Sequence, residues 1–454
     1  LRTVTGVQTC ALPIYQYVLC VRSAVDRTVL AGVLVDPATM AADAAVAIDW
    51  FHPSPDGALV AYGLSEGGTE NSVLHVLDVR TGEVLPDRIA DTRAASVAWL
   101  PDASGFWYAC YPPGDEYHRH IRFHTLGTPA ADDTVVFDRR PTPEAWPDVT
   151  VSRDGRYVVV HQMAGWTRVD VHVLDRATGD WIDVVEGVEA QSAFHVYDGA
   201  LVGVTTRDAA NGRVVRIALH RPDEWHTVVP ERADSVLGAS VVVGDDVVVV
   251  ASTVAVDRLE RYSLGAPVGG GSSCSGTVDL GVASVVSLDA DAVVGAGPSA
   301  PEAGVFVARG RFGAPIDLCR VVPDAHGGSV TPWGDEADAA VLPDVTVRQV
   351  MYPSLDGTMI PMFVAHRADV RPSPTTPLIL TGYGGFAIAN SPVWMPNLAA
   401  WCAEGGVYCI AGLRGGYEYG DAWHRAGRRA AKQNVFDDFH AAADWVVDRK
   451  STRL

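Results

Sequence analysis

A strand–turn–strand unit recurs along the first 300 residues and limits the possible folds more than any other feature. The clearest copy reads DWFHPSPDGALVAY, and copies begin at Asp49, Val97, Thr150, Ala193, Ser240 and Val285. Their turn aspartates stand at positions 56, 102, 154, 198, 245 and 291, in steps of 46, 52, 44, 47 and 46 residues. A repeat of roughly 40–50 residues built from short strands is typical of a β-propeller.

The six copies and a degraded one near Val305–Cys319 predict an all-β, seven-bladed β-propeller over residues 15–345. A single blade cannot bury both faces of its sheet, so the blades must stack on one another. A pair of large β-sandwiches is the alternative, which the regular spacing disfavours. The only helix expected in this region is short and Ala-rich, at Pro37–Val46.

From Val345 the pattern changes to alternating strands and helices. We expect a hairpin of Val347–Met351 and Met359–Ala365. A buried strand at Leu378–Leu380 and a helix at Asn397–Glu404 follow, and then a second buried strand at Val407–Ala411 and a final helix at Asn434–Asp448. In the final helix, Asn434 is the expected N-cap, with Asp437 as its capping partner. Asp437 and Asp438 interact favourably with the helix dipole. The expected buried stripe comprises Phe436, Phe439, Ala443 and Val446. This order predicts the first part of an α/β domain over 346–449.

Both ends of the chain differ from the rest. Residues 1–14 (LRTVTGVQTCALPI) show neither helical nor strand periodicity, and residues 450–454 (KSTRL) break off a helix abruptly. We interpret both as non-native segments that flank a gene fragment. Frayed native termini are the alternative.

Composition excludes several classes of function. The net charge of −20 disfavours nucleic acids and anionic membranes as partners, and no apolar run is long enough to span a bilayer. The seven cysteines form no CxxC pair and no Cys/His cluster with zinc spacing. We therefore expect no metal and no cofactor. Reduced thiols, together with the lack of a signal-peptide pattern, indicate a cytoplasmic protein.

The segment LILTGYGGF at 378–386 carries the strongest chemical signal. It places a glycine-rich loop directly after a buried strand, where the corresponding loop of an α/β-hydrolase supplies donors to the oxyanion of acyl transfer. Glycines let the backbone turn sharply and approach a substrate closely. A tight turn without a ligand is the alternative for this segment taken alone.

Further motifs resemble the prolyl oligopeptidase family. They are VAYGLS at 60–65, LGT at 126–128, YPSLDGTMIPMF at 352–363, RGGYEYG at 414–420, Trp423-His424 and KQNVFDDF at 432–439. The resemblance covers roughly residues 15–448. It implies a seven-bladed propeller followed by the first part of an α/β-hydrolase domain. It also implies a cytosolic serine endopeptidase or oligopeptidase that cleaves short peptides after proline through an acyl-enzyme, and we expect a monomer.

The resemblance assigns roles to two residues. Tyr383 matches the tyrosine whose hydroxyl helps stabilise the oxyanion, and Phe386 matches an aromatic residue that contacts the residue before the scissile bond. Ordinary core packing is the alternative for Phe386. The catalytic serine, acid and histidine of the family would follow the last helix, so we expect the chain as printed to be inactive.

Other candidates are weaker. Gly63-Leu64-Ser65-Glu66-Gly67 fits G-x-S-x-G, but it lies in a blade repeat rather than between a strand and a helix. His118, His120 and His124 would share one face of a strand without a complete ligand set. The loops 269–273 and 295–298 lack the residues of a phosphate or dinucleotide site. Ion pairing in a loop is expected for Arg414 and Glu418, and structural roles for His424 and His440.

Two other functions stay open at this point. One is an oligopeptidase of the same superfamily that prefers basic residues. The other is a propeller binding module without catalysis. The sequence beyond the last helix would discriminate among them, because the nucleophile and most of the specificity pocket would lie there.

Overall fold

The computed structural model describes residues 3–8, 17–23, 30–40, 45–265, 273–290, 304–333 and 344–452. The chain divides into two compact units, residues 1–201 with 217–224, and residues 202–216 with 225–454. In the described ranges, no helix combines the length and the apolar character needed to cross a bilayer.

Seven successive antiparallel sheets occupy the described residues from 3 to 332, and in each the strands lie in an up-and-down order. The first three sheets comprise β1 Thr3–Gln8, β2 Val18–Ser23 and β3 Leu30–Val35; β4 Val46–Pro53, β5 Leu59–Glu66, β6 Val73–Asp78 and β7 Val84–Ile89; and β8 Val97–Trp99, β9 Gly105–Cys110, β10 His120–Thr125 and β11 Thr134–Phe137.

The next four sheets each contain four strands. They comprise β12 Trp146–Val151, β13 Tyr157–Met163, β14 Val169–Asp175 and β15 Asp180–Val185; β16 Ser192–Tyr197, β17 Ala200–Thr205, β18 Arg213–Ala218 and β19 Trp225–Val229; β20 Val236–Val243, β21 Asp246–Thr253, β22 Val256–Ser263 and β23 Cys274–Asp279; and β24 Ser284–Ala290, β25 Val305–Arg311, β26 Ala314–Val322 and β27 Ser329–Pro332.

The repeated aspartates lie in the turn between the first and second strands of a sheet. Asp56 shows the reason: its Oδ1 accepts hydrogen bonds from the Ser54 hydroxyl at 2.6 Å and from the Ala58 N–H at 3.0 Å. Asp154 repeats the same bonds with Ser152 and the Arg156 N–H. An aspartate that bonds the backbone two residues later closes a turn. The sixth turn, at Asp291, lies outside the described residues.

Consecutive sheets share apolar cores within each unit. Alternating side chains of β5 and β6 pack against those of β9, including Phe106 and Tyr108, and β9 and β10 in turn pack against β12 and β13. The sixth and seventh sheets pack in the same way through Val250, Leu259 and Val307. This stacking buries faces that a single sheet would leave in water.

The number of sheets agrees with the prediction, but three assignments were wrong. Val305–Cys319 contributes β25 and β26 to the same sheet as β24, so it is not a separate blade. The remaining sheet is β1–β3, and β1 lies within residues 1–14, where no strand was expected. The expected helix at Pro37–Val46 is only a 3-10 turn at Pro37–Thr39, because Val46 already belongs to β4. The foreign origin of residues 1–14 and 450–454 stays a prediction.

The remaining residues form one mixed sheet with a helix on each face. Its elements are β28 Val345–Pro353, β29 Met359–Arg367, β30 Leu378–Gly382, α1 Pro396–Ala403, β31 Val407–Ala411, α2 Asp421–Arg425 and α3 Gln433–Thr452. The strand order is β28-β29-β31-β30, with β30 and β31 parallel. Met362 and Cys409 face α3, whereas Phe363 and Ile410 face α1. Side chains of adjacent residues in a strand point to opposite faces, and the sheet is therefore covered on both sides.

The turns of two propeller hairpins also pack against this sheet within the second unit. Ala255 and Phe312 join the apolar cluster that contains Phe363 and Ile410. The Gln349 side-chain amide donates to the Val254 carbonyl at 2.7 Å.

Three predictions about helix α3 and strand β30 were wrong in whole or in part. The helix begins at Gln433, and the Asn434 amide donates to the Ala426 carbonyl at 2.8 Å instead of capping it. The buried residues of the helix are Val435, Asp438, Ala442 and Val446. Val446 was therefore predicted correctly and Phe439 is half-buried against the core, but Phe436 and Ala443 are exposed. Strand β30 is half-buried rather than buried, because it is an edge strand among the described residues.

Candidate active site

The loop between β30 and α1 contains both predicted site residues. Strand β30 ends at Gly382, and the loop turns back at Gly384, whose φ is 61°. A Cβ at Gly384 would lie 2.4 Å from Val435 Cγ1, a distance that side-chain carbons do not adopt. The position therefore requires glycine for two reasons, the left-handed backbone and the close approach of α3.

Tyr383 and Phe386 lie side by side on the surface of this loop. Their ring centroids are 6.1 Å apart with an interplanar angle of 35°. Both side chains remain about half exposed, 54% for Tyr383 and 53% for Phe386. Phe386 has a φ of 57°, which is rare for an aromatic residue and marks a backbone held by its surroundings. The structure brings the two residues together, and their roles stay predictions.

Four contacts hold the loop backbone. The Lys432 ammonium donates to the Gly384 carbonyl at 2.7 Å. The Ala387 N–H points to His424 Nδ1 at 3.0 Å and to the Gly415 carbonyl at 3.3 Å. Further along, the Asn390 N–H donates to Glu418 Oε1 at 2.9 Å. The loop geometry thus depends on side chains that come 28 to 48 residues later in the sequence.

Glu418 is a buried carboxylate, and among the described residues only one of its two oxygens has a hydrogen-bond partner. Only 2% of the residue is exposed, and Oε2 has no hydrogen-bond partner among the described residues. Burial raises the pKa of Glu418 from the ordinary 4.5 to about 7, against the opposing effect of the Asn390 N–H. No ion pair joins Glu418 to a described basic residue, so the ion pair expected for it was wrong.

Arg414 does form the expected ion pairs, with partners on two other elements. Its Nε and Nη2 donate to the Asp438 carboxylate on α3 at 2.6–3.1 Å, and its Nη1 donates to Asp356 Oδ2 at 2.6 Å. Because Arg414 binds it, the pKa of Asp356 is lowered to about 2. Asp438 is fully buried and also accepts from the Ser354 hydroxyl. The interpretation of Asp438 as a helix-dipole residue therefore missed its main role.

The other sequence candidates are explained by structural contacts. Ser65 lies inside β5, is 2% exposed, and its hydroxyl donates to Asp49 Oδ1 at 3.1 Å. His118 lies before β10 and contacts Asp115, whereas His124 is buried between two carboxylates, Asp87 at 3.0 Å and Asp133 at 2.8 Å. His424 is buried beside the Gly415 carbonyl, and His440 lies on α3.

No group of three or more potential metal ligands converges in the described ranges. Most of the loop 269–273 and all of the loop 295–298 lie outside them. Lys432 and Asn390 were not identified from the sequence as residues that hold the loop after β30. A signal for Lys432 was present, because it is one of only two lysines in the chain, with Lys450.

Two family models match the sequence. The one described as prolyl oligopeptidase, N-terminal beta-propeller domain, matches residues 14–293, more than half of the chain. The chain belongs to the prolyl oligopeptidase family. A second model, described as prolyl oligopeptidase family, matches residues 393–453. The predicted membership is confirmed, and so is a propeller followed by part of an α/β-hydrolase domain.

Known members resemble this chain over most of its length. The prolyl endopeptidase of Elizabethkingia meningoseptica is 27% identical over 408 residues, which are 86% of this chain and 54% of that protein. Prolyl oligopeptidase ophP of Omphalotus olearius is 27% identical over 448 residues, 91% of this chain and 58% of that protein. The chain thus spans a little over half the length of these relatives.

Solved structures agree with the fold. One from a structural and mechanistic analysis of two prolyl endopeptidases superposes with a TM-score of 0.81 at 30% identity, over 98% of this chain and 67% of that chain. Prolyl oligopeptidase B from Galerina marginata, bound to a 35mer hydrolysis and macrocyclization substrate, superposes with a TM-score of 0.81 at 24% identity, over 96% of this chain and 63% of that chain.

Proposed function

We propose that this chain belongs to a serine peptidase that cleaves short peptides after proline through an acyl-enzyme. Membership of the prolyl oligopeptidase family supports the peptidase class, and relatives named prolyl endopeptidase and prolyl oligopeptidase support the preference for proline. In this mechanism a serine attacks the scissile carbonyl, a histidine accepts its proton, and water later hydrolyses the ester.

The observation that carries the proposal is the pairing of Tyr383 and Phe386 on one constrained loop. The Tyr383 hydroxyl is the proposed donor to the oxyanion that develops when the serine attacks. A donor held in place costs no reorganisation when the charge appears, so it stabilises the transition state more than water does. The Phe386 ring is the proposed apolar surface for the proline ring, 6.1 Å from the Tyr383 ring centroid.

The test of the Tyr383 role is Tyr383→Phe in the full-length protein that carries this sequence. Loss of one oxyanion donor lowers kcat by about 100- to 1000-fold. The substitution removes only the hydroxyl, so the change in KM for a proline-containing chromogenic peptide should stay small. Tyr117→Phe is the matched control, because Tyr117 is also half exposed but lies in the propeller. A loss of kcat below about threefold for Tyr383→Phe would refute the assignment.

Specificity is tested with Phe386→Ala and a set of peptides that differ only in the residue before the cleaved bond. We expect kcat/KM to fall most for proline. If cleavage after lysine or arginine is faster in the unaltered enzyme, the preference is for basic residues instead. Absence of all peptidase activity would support the binding-module alternative.

We propose further that the chain as printed does not react as a serine hydrolase and acts in the cytoplasm. Ser65 supports the first point, since its hydroxyl is buried against the Asp49 carboxylate. The six described cysteines, all free thiols, support the second. Stoichiometric labelling of the printed chain by a fluorophosphonate probe would contradict the first point.

A further inference from the structure

Lys432 is the only charged residue with a described hydrogen bond to the backbone between Gly382 and Ala387. Its Nζ lies 2.7 Å from the Gly384 carbonyl oxygen, between the two residues of the candidate site in the sequence. The chain uses arginine at every other basic position except Lys450. An ammonium is a compact charge on a flexible stem and can bind one carbonyl where a planar guanidinium needs more room.

The bond acts on the Gly384–Gly385 peptide group, whose carbonyl oxygen also packs closely against Gly415, where a Cβ would lie 2.6 Å from that oxygen. Gly384 and Gly385 flank it on both sides, and a Cβ at Gly385 would meet no atom closer than Lys432 Nζ at 4.0 Å. Rotation of a peptide plane between two glycines is not blocked by a side chain. A charge-assisted bond to the carbonyl therefore selects one orientation of this plane.

The two ends of the loop depend on different contacts. Beyond Gly385, the Ile388 N–H donates to the Gly385 carbonyl at 3.1 Å, and Ala387 and Asn390 have the anchors described above. These bonds hold the Phe386 end without Lys432. Tyr383 lies on the other side of the Gly384–Gly385 peptide, directly after β30. The residue before it, Gly382, is paired with Ala411 of β31, so the Lys432 bond acts on the peptide that joins these two anchored ends of the loop.

We propose that Lys432 is a positioning residue that fixes the Gly384–Gly385 peptide plane and so aims the Tyr383 hydroxyl at the oxyanion. This inference rests on the proposed function and assigns a role to a residue that does not itself touch substrate. Since Tyr383 would act only in the transition state and Phe386 in both states, loss of Lys432 should lower kcat and leave KM nearly unchanged.

The activity test compares Lys432→Met, Lys432→Arg and the control Arg348→Met, an exposed basic residue on β28, in the full-length protein. A displacement of about 1 Å in a catalytic group can cost about 100-fold in rate. We expect Lys432→Met to lower kcat by about 10- to 100-fold with KM within about threefold. Lys432→Arg, whose planar guanidinium needs more room, should recover only part of the lost kcat, and Arg348→Met should have no effect. Equal activity of Lys432→Met and the unaltered protein, or a change in KM alone, would overturn the inference.

A second measurement needs no activity and uses the chain printed here. Hydrogen exchange of the peptide covering 382–390 should become faster in Lys432→Met and stay unchanged in Arg348→Met, while β31 keeps its protection in both. Unchanged exchange in the loop would overturn the positioning role. If Tyr383→Phe retains full activity but exchange increases in Lys432→Met, the oxyanion assignment fails while Lys432 still holds the loop.

Discussion

Replacement of Glu418 by glutamine should favour the folded protein more at alkaline pH than at acidic pH, when the variant is compared with the unaltered chain at the same pH. Burial raises the pKa of Glu418 to about 7 in the folded state, whereas an unfolded glutamate titrates near 4.5. Between these values the folded state holds a proton that the unfolded state has released. The contribution of Glu418 to the free energy of unfolding therefore falls as the pH rises from 4.5 to 7.

The magnitude follows from the difference between the two pKa values. Each unit is worth about 1.4 kcal/mol, so the full loss is about 3 kcal/mol, of which about 2.5 kcal/mol falls between pH 5 and pH 8. Glutamine cannot ionise and keeps an oxygen for the Asn390 N–H. From pH 5 to pH 8, the free energy of unfolding of Glu418→Gln minus that of the unaltered chain should therefore rise by that amount.

The assay is equilibrium urea unfolding of both proteins at pH 5, 6, 7 and 8. The matched control is Glu404→Gln, which removes an exposed carboxylate at the end of α1 and leaves Glu418 in place. A Glu418→Gln difference that is constant from pH 5 to pH 8 would refute the reasoning. It would mean that Glu418 titrates alike in the folded and unfolded states.

Three further substitutions test other contacts. Arg414→Met should lower the free energy of unfolding by about 3–5 kcal/mol, because Asp438 stays buried without a counter-ion, and Arg414→Met/Asp438→Leu should cost less than the single change in urea unfolding. Gly384→Ala should be destabilising by about 1–3 kcal/mol in the same assay, and Gly385→Ala, which has open space, should cost clearly less. Val254→Asn should raise the melting temperature, because Val254 has a φ of 52° that asparagine tolerates better; a lower value would contradict this.

The sequence was sufficient for features that local chemistry determines. The aspartate turns, the six sheets that carry them and the strand β31 were predictable because a short motif or an apolar run defines each of them. The position of the glycine-rich loop after β30 was predictable for the same reason. Tyr383 and Phe386 were found through family motifs, not through any physical property that the sequence displays.

Long-range pairing accounts for most of what was missed. The predicted stripe of α3 included Phe436 instead of Val435 and Asp438, because Asp438 was assigned to the helix dipole, although Arg414 neutralises it inside the protein. Glu418 was expected in an ion pair, but its partner is a backbone N–H 28 residues earlier. A sequence pattern reports which residues prefer burial, and it does not report which distant group makes the burial of a charge possible.

The Arg414 cluster also has a consequence for the order of folding. The turn of the β28–β29 hairpin can close by itself, since Asp356 bonds the Thr358 N–H two residues away. The Ser354 hydroxyl in this turn also binds Asp438, which comes 84 residues later in the sequence. At a synthesis rate of about 5–20 residues per second, the hairpin leaves the ribosome about 4–17 s before the group that completes it. Arg414 comes only 24 residues before Asp438, so it must remain hydrated for about the last 1–5 s of that interval, and this part of the sheet can become a closed core only when α3 arrives.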